Sequence, residues 1–87
     1  MEDLVGAGAV CDSLTRMHGY SPAADGARIA MTLFHAAKND LPAILRSGQG
    51  GQNLLRAGLE EDIEFCARLN VLDVVGVVSA DLTIRAM

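Results

Sequence analysis

Glu60, Glu61, Asp62 and Glu64 fall within five consecutive positions, with apolar residues directly behind them. On a helix, residues three and four apart share a face, so Glu60 with Glu64 and Glu61 with Glu64 can bring two or three carboxylates together. A hard divalent cation such as Mg²⁺ or Mn²⁺ takes one or two carboxylates plus waters and phosphate oxygens. It polarises a phosphoryl oxygen and lowers the pKa of a bound water, which is the chemistry of phosphoester hydrolysis. Glu60, Glu61 and Glu64 are therefore candidate metal ligands, and Glu61 and Glu64 candidate catalytic groups. The competing reading is plainer. Acids complement the positive end of a helix in its first turn, and Arg68, four residues after Glu64, is an ordinary salt-bridge partner.

Glu2 and Asp3 carry the same two readings, metal ligands or complements to a helix start. Asp73 lies inside the apolar run VLDVVGVV, where a carboxylate is costly to bury; it is either solvent-facing by alternation or a catalytic carboxylate. In SGQGGQN, residues 47–53, glycines precede a helix, so Ser47, Gly50 and Gly51 could direct backbone N–H groups at a phosphate. No Gly-Lys-Ser/Thr follows, and a flexible connector explains the same composition. His18 and His35 have no partner at a recognised ligand spacing and read as surface or packing residues. Cys66 shares a stripe with Leu59 and Ile63 and has the negative Asp62, not a base or a cation, one turn away, so packing accounts for it.

These groups need elements to position them. Leu4, Ala7, Cys11 and Leu14, with Val10 and Met17 beside them, predict one helix from Glu2 to about His18, ended by Gly19. Gly6 and Gly8 cost helix propensity and suggest close approach of another backbone. Ser21-Pro22 reads as the start of a second helix, with Ile29, Leu33, Ala36 and Ala37 on its buried side and Phe34 alongside. Asp40 caps a third, to about Arg46; NLLRAG forms a fourth, closed by Gly58; the acidic helix runs from about Leu59 to Leu69. VLDVVGVV and LTIR, separated by SAD, predict two strands of a hairpin. The fold class is α+β and mostly helical, five helical segments followed by a C-terminal β-hairpin. An isolated two-stranded ribbon is marginal in water, so the hairpin is expected to pair with a sheet elsewhere.

Eighty-seven residues make a single small domain, which at this size buries only about 60 to 65% of its unfolded surface. Hydrophobic residues reach 51%, yet Ala, Leu and Val carry them and only two Phe and one Tyr are present. A small core and a hairpin with open edges predict a homodimer, through helix faces and strand pairing across a two-fold. The net charge is −4, and the seven cations stand scattered from Arg16 to Arg85. Without a basic cluster there is no high-affinity nucleic-acid platform. Two cysteines are too few for a disulfide framework. No 18-residue apolar run occurs and the Met-Glu-Asp start lacks a basic leader, so a cytoplasmic protein without a membrane span is expected. The chain starts almost directly on a helix and ends two residues after Arg85, as an excised piece would.

EDLVGAGAV (residues 2–10) and SGQGGQNLLRAGLEEDIEFCARLNVLDVVGVV (residues 47–78) resemble the C-terminal part of the 2-phosphosulfolactate phosphatase family, Mg-dependent enzymes of coenzyme M biosynthesis. The most specific portion is residues 58–75, an acidic helix start, Asp-Ile-Glu-Phe-Cys, and Leu-Asp-Val-Val in one order. The resemblance implies a domain similar to a fragment of a longer phosphatase, whose N-terminal part contributes much of the α/β sheet. It implies a Mg²⁺ or Mn²⁺ dependent phosphoester hydrolase acting on a small phosphomonoester, or on a phosphodiester if truncation has opened the site. Glu2 and Asp3 match the family's Glu-Asp before its Ala-Gly helix, which adds to their ligand reading. The alternative is a non-catalytic helical homo-oligomer, a truncated remnant of that family.

Overall fold

A computed structural model describes all of residues 1–87. It contains α1 (Glu2–His18), α2 (Asp25–Ala37), α3 (Leu41–Ser47), α4 (Gln49–Arg56), α5 (Glu60–Cys66), β1 (Gly76–Val78) and β2 (Ile84–Ala86). The expected class, five helices and a C-terminal antiparallel hairpin, is what the chain adopts.

The helix boundaries follow local chemistry. Glu2 and Asp3 occupy the first turn of α1, and Gly19 ends it at φ 71°, a left-handed conformation that suits a residue without a Cβ. The Asp40 side chain accepts a hydrogen bond from the Ala43 N–H and caps α3, with Pro42 in its first turn. Gly58 turns the chain at φ 74° between α4 and α5. Three expected boundaries move, the start of α4 to Gln49 from Asn53 being one. α2 starts at Asp25, with Ala24 as its cap; Ser21 and Pro22 stay in the approach loop, where Pro22 lines an open cleft with Met31, Thr32 and His35. α5 ends at Cys66, short of Leu69.

The core is one cluster, Val5, Phe34, Ala37, Leu41, Leu45, Ile63 and Ala67, flanked by Ala9, Leu33, Ile44, Leu54 and Leu55. Ile63 and Ala37 are almost fully enclosed, at 1% and 0% exposure. The face of α1 turned inward is Val5, Gly8 and Asp12. This corrects the expected stripe: Leu4, Val10, Leu14 and Met17 are exposed. α2 likewise buries Ala30, Phe34 and Ala37 and leaves Ile29 and Ala36 outside. The cause is steric. A Cβ on Gly8 would sit 2.0 Å from the Ala30 carbonyl oxygen, so α1 can approach α2 this closely only along the register that contains that glycine. Gly6 has open space around it.

The hairpin pairs Gly76 with Ala86, Val77 with Arg85 and Val78 with Ile84. Only three residues on each side are strand, so VLDVVGVV is a strand from Gly76 onward and Val71–Val75 carries no regular structure. No helix is long and apolar enough to cross a membrane.

Candidate functional site

α5 carries its acids outward. Glu60 and Glu64 share one face, as their spacing requires, and both accept from Arg46 Nη2 of α3, at 2.7 and 3.3 Å. This replaces the expected Glu64–Arg68 pair. Arg68 lies beyond the end of α5, where helical spacing no longer aligns it with Glu64, and its guanidinium stands 5.7 Å from the centre of the Phe65 ring instead. Glu61 is exposed on α5, and Asp73 is exposed in the irregular segment before β1.

SGQGGQN is not a loop. Ser47 ends α3, Gly48 alone separates the helices, and Gly50 and Gly51 lie in the first turn of α4. A Cβ on Gly51 would sit 1.9 Å from the Leu45 carbonyl oxygen, so this glycine lets α4 pack against α3. The Ser47 hydroxyl donates to the Ile44 carbonyl at 2.7 Å. At Gly50 the neighbour is Glu2, whose carboxylate oxygens lie 3.3 and 3.4 Å from the position a Cβ would take. A negative group therefore already stands at the positive end of α4, where it favours the helix and opposes a free phosphate. A backbone N–H of its own helix and the terminal ammonium hold the Glu2 carboxyl below the usual range.

Glu2, Gly50 and Gly51 share a cleft of about 360 Å³ with Leu45, Asn53, Leu54, Ile63 and Cys66. The fold thus unites one proposed metal ligand with two proposed phosphate-binding glycines. It leaves Glu60 and Glu64 bound to Arg46. Nowhere do three His, Cys, Asp or Glu side chains gather closely enough to hold a metal ion. Of the set Glu2, Asp3, Glu60, Glu61 and Glu64, the fold places Glu60 and Glu64 together on Arg46 and sets Glu2 apart from them beside Gly50.

A different polar cluster lay outside the sequence reading. Asp12, 8% exposed on α1, bonds His35 Nε2 of α2 at 2.6 Å and Arg16 Nε at 2.7 Å. An ionised carboxylate only accepts, so the His35 ring nitrogen carries the proton in this bond. The bonds from His35 and from Arg16 hold the Asp12 carboxyl below its ordinary pKa. His35, which has no partner at a ligand spacing in the sequence, gains this one through the packing of α2 on α1. The Asp12–Arg16 spacing was visible in the sequence; the pairing across 23 residues required the helix crossing. The second site missed is the hairpin turn. There Asp81 accepts from the hydroxyls of Ser79 and Thr83 and from the Thr83 N–H, which lowers its pKa to about 2.

A family model described as 2-phosphosulpholactate phosphatase matches residues 1–81. The chain belongs to this family. It is 36% identical over 76 residues to a probable 2-phosphosulfolactate phosphatase of Microcystis aeruginosa, covering 86% of this chain and 32% of that protein. It is 38% identical over 72 residues to the probable 2-phosphosulfolactate phosphatase of Gloeobacter violaceus, covering 83% and 28%. The like-named protein of Symbiobacterium thermophilum is 32% identical over 77 residues, covering 88% and 33%. The chain thus spans about a third of the length of the curated relatives it matches. No solved structure matches it.

Proposed function

We propose that this chain is the helical part of a phosphoester hydrolase that acts on a small phosphomonoester of the 2-phosphosulfolactate type. The observation that carries this reading is the family match over residues 1–81. The cleft beside Glu2, Gly50 and Gly51 is the feature of this chain best suited to line a substrate site, being concave, largely apolar and edged by one carboxylate. Any Mg²⁺ or Mn²⁺ requirement would draw ligands from polypeptide beyond the carboxylates this chain assembles, and phosphodiester hydrolysis is a further substrate class to test. Phosphate release from p-nitrophenyl phosphate and bis(p-nitrophenyl) phosphate, with and without EDTA, tests the reading. Metal-dependent turnover that falls in Glu2→Gln supports it.

A second reading, a non-catalytic helical homodimer, is favoured by the engagement of Glu60 and Glu64 by Arg46, which leaves those acids a structural role. It requires no turnover after contaminating phosphatases are removed, together with a doubled mass by light scattering. A cytoplasmic location belongs with either reading.

A further inference from the structure

The buried side of α1 consists of Val5, Gly8 and Asp12, and of these only Val5 is a hydrophobic side chain of any size. The opposite side is richer. At about 100° per residue, Leu4, Ala7, Val10, Cys11, Leu14 and Met17 fall within about 140° of the helix circumference, as wide as the apolar stripe by which a helix is normally buried. The stripe runs for about 20 Å along the helix, and the chain leaves it open: Val10 is 61% exposed and Met17 70%. Its two ends are polar. Asp3 stands in the first turn and His18 in the last. Both are exposed, and neither enters an ion pair within the chain. The other charges of the helix are engaged, Glu2 with the terminal ammonium and Arg16 with Asp12.

This stripe is complementary to itself. A second α1, turned about a two-fold axis that passes between Val10 and Cys11, runs antiparallel to the first. Ala7 then comes level with Leu14, Leu4 with Met17 and Asp3 with His18 of the other copy. The two Val10 side chains meet on one side of the axis and the two Cys11 side chains on the other. Every contact in the middle is apolar, and each end sets a carboxylate beside an imidazole that becomes cationic when protonated. A parallel pair would instead set Asp3 against Asp3 and align the two helix dipoles, which the antiparallel pair opposes. The available surface is sufficient. The chain exposes 6496 Å², against roughly 4,900 Å² for a compact monomer of its 9.1 kDa mass. That surplus exceeds the roughly 800 Å² that one partner gives to a standard interface.

We propose that two copies of this chain associate through the outer face of α1 as an antiparallel helix pair, with Val10 and Cys11 at the two-fold axis and Asp3 of each copy beside His18 of the other. The inference rests on the homodimer of the second reading above and adds its surface and orientation. It is compatible with hydrolysis, because mass and turnover are measured separately.

The test uses the 87-residue chain. Light scattering at micromolar concentration should give a doubled mass. Val10→Lys sets two ammonium groups at the axis and should raise the dissociation constant at least about 100-fold, with helical circular dichroism unchanged because Val10 lies outside the core cluster. Orientation is read by cross-linking in chains whose Cys11 and Cys66 are replaced by Ser. A mixture of Ala7→Cys and Leu14→Cys chains should form a disulfide on mild oxidation, whereas Ala7→Cys chains alone should not, since the two copies of residue 7 lie about 10 Å apart along the antiparallel pair. A monomer overturns both this inference and the second reading. A dimer indifferent to Val10→Lys overturns this inference alone, and so does one in which Ala7→Cys chains join to themselves.

Discussion

Residues 2–67 and residues 69–87 are built from similar aliphatic side chains and treat them in opposite ways. In the first region, Val5, Phe34, Leu41, Leu45 and Ile63 close on one another, and glycines at 8 and 51 let helix backbones come within contact. In the second, Leu69, Val71, Leu72, Val74, Val75, Val77, Val78, Leu82 and Ile84 are all exposed. The difference is geometric. A helix satisfies its own backbone, so five short helices can collapse on a small core, whereas a strand needs a neighbour for its backbone and a layer for each face. The helical region therefore closes a core of its own, and the C-terminal region leaves its aliphatic side chains exposed.

The largest expected effect separates the two regions directly. Ile63→Ala should cost about 2 to 5 kcal/mol of stability, because it opens a cavity in the one enclosed cluster. Val74→Ala, outside any cluster, should stay within about 0.5 kcal/mol in the same urea titration. Equal costs would break the comparison.

An intermediate effect is read by acid titration, with the sign fixed by lowered pKa values. Asp12 binds the two halves of the α1–α2 pair, and Asp81 holds the hairpin turn. A carboxylate whose folded pKa is depressed stabilises above its unfolded value and loses that stabilisation as pH falls toward the folded one. For Asp81 the loss runs from near pH 4 down to about 2, so amide shifts of Ser79 and Thr83 by NMR should hold at pH 4 and reach the midpoint of their change near pH 2. In the helical region, Asp12→Asn should lower the melting temperature at pH 7 and remove part of the acid sensitivity below the usual carboxylate range.

The smallest effect concerns the acids that first suggested chemistry. Glu60→Gln and Glu64→Gln each remove one partner of Arg46 in an exposed pair, worth roughly 0.2 to 1 kcal/mol. Glu61→Gln should change stability by a few tenths, about 0.3 kcal/mol, through the helix dipole alone. Calorimetric titration with Mg²⁺ or Mn²⁺ should give the same weak response in all three variants as in the parent. A specific loss in Glu64→Gln would restore that residue as a ligand.

By itself the sequence determined several helix ends through the chemistry of single residues, although the Ser21-Pro22 signal did not start α2. Gly19 and Gly58 take left-handed conformations, Asp40 caps its own helix, and Glu60–Asp62 stand in a first turn. It determined the family as well, through the ordered run from SGQGGQN to VLDVVGVV, which the match over residues 1–81 bears out. Tertiary structure alone decided which face of each helix is inside. α1 has two usable stripes, and the one with larger side chains, Leu4 and Leu14, lost to the one containing Gly8, because the Ala30 carbonyl occupies the space a Cβ would need. Packing also turned a glycine-rich loop into a helix start and placed Arg46 between Glu60 and Glu64. It joined Asp12 to His35 across 23 residues. Periodicity reports that a face exists; contact between backbones far apart in sequence selects among faces, and no local pattern encodes that contact.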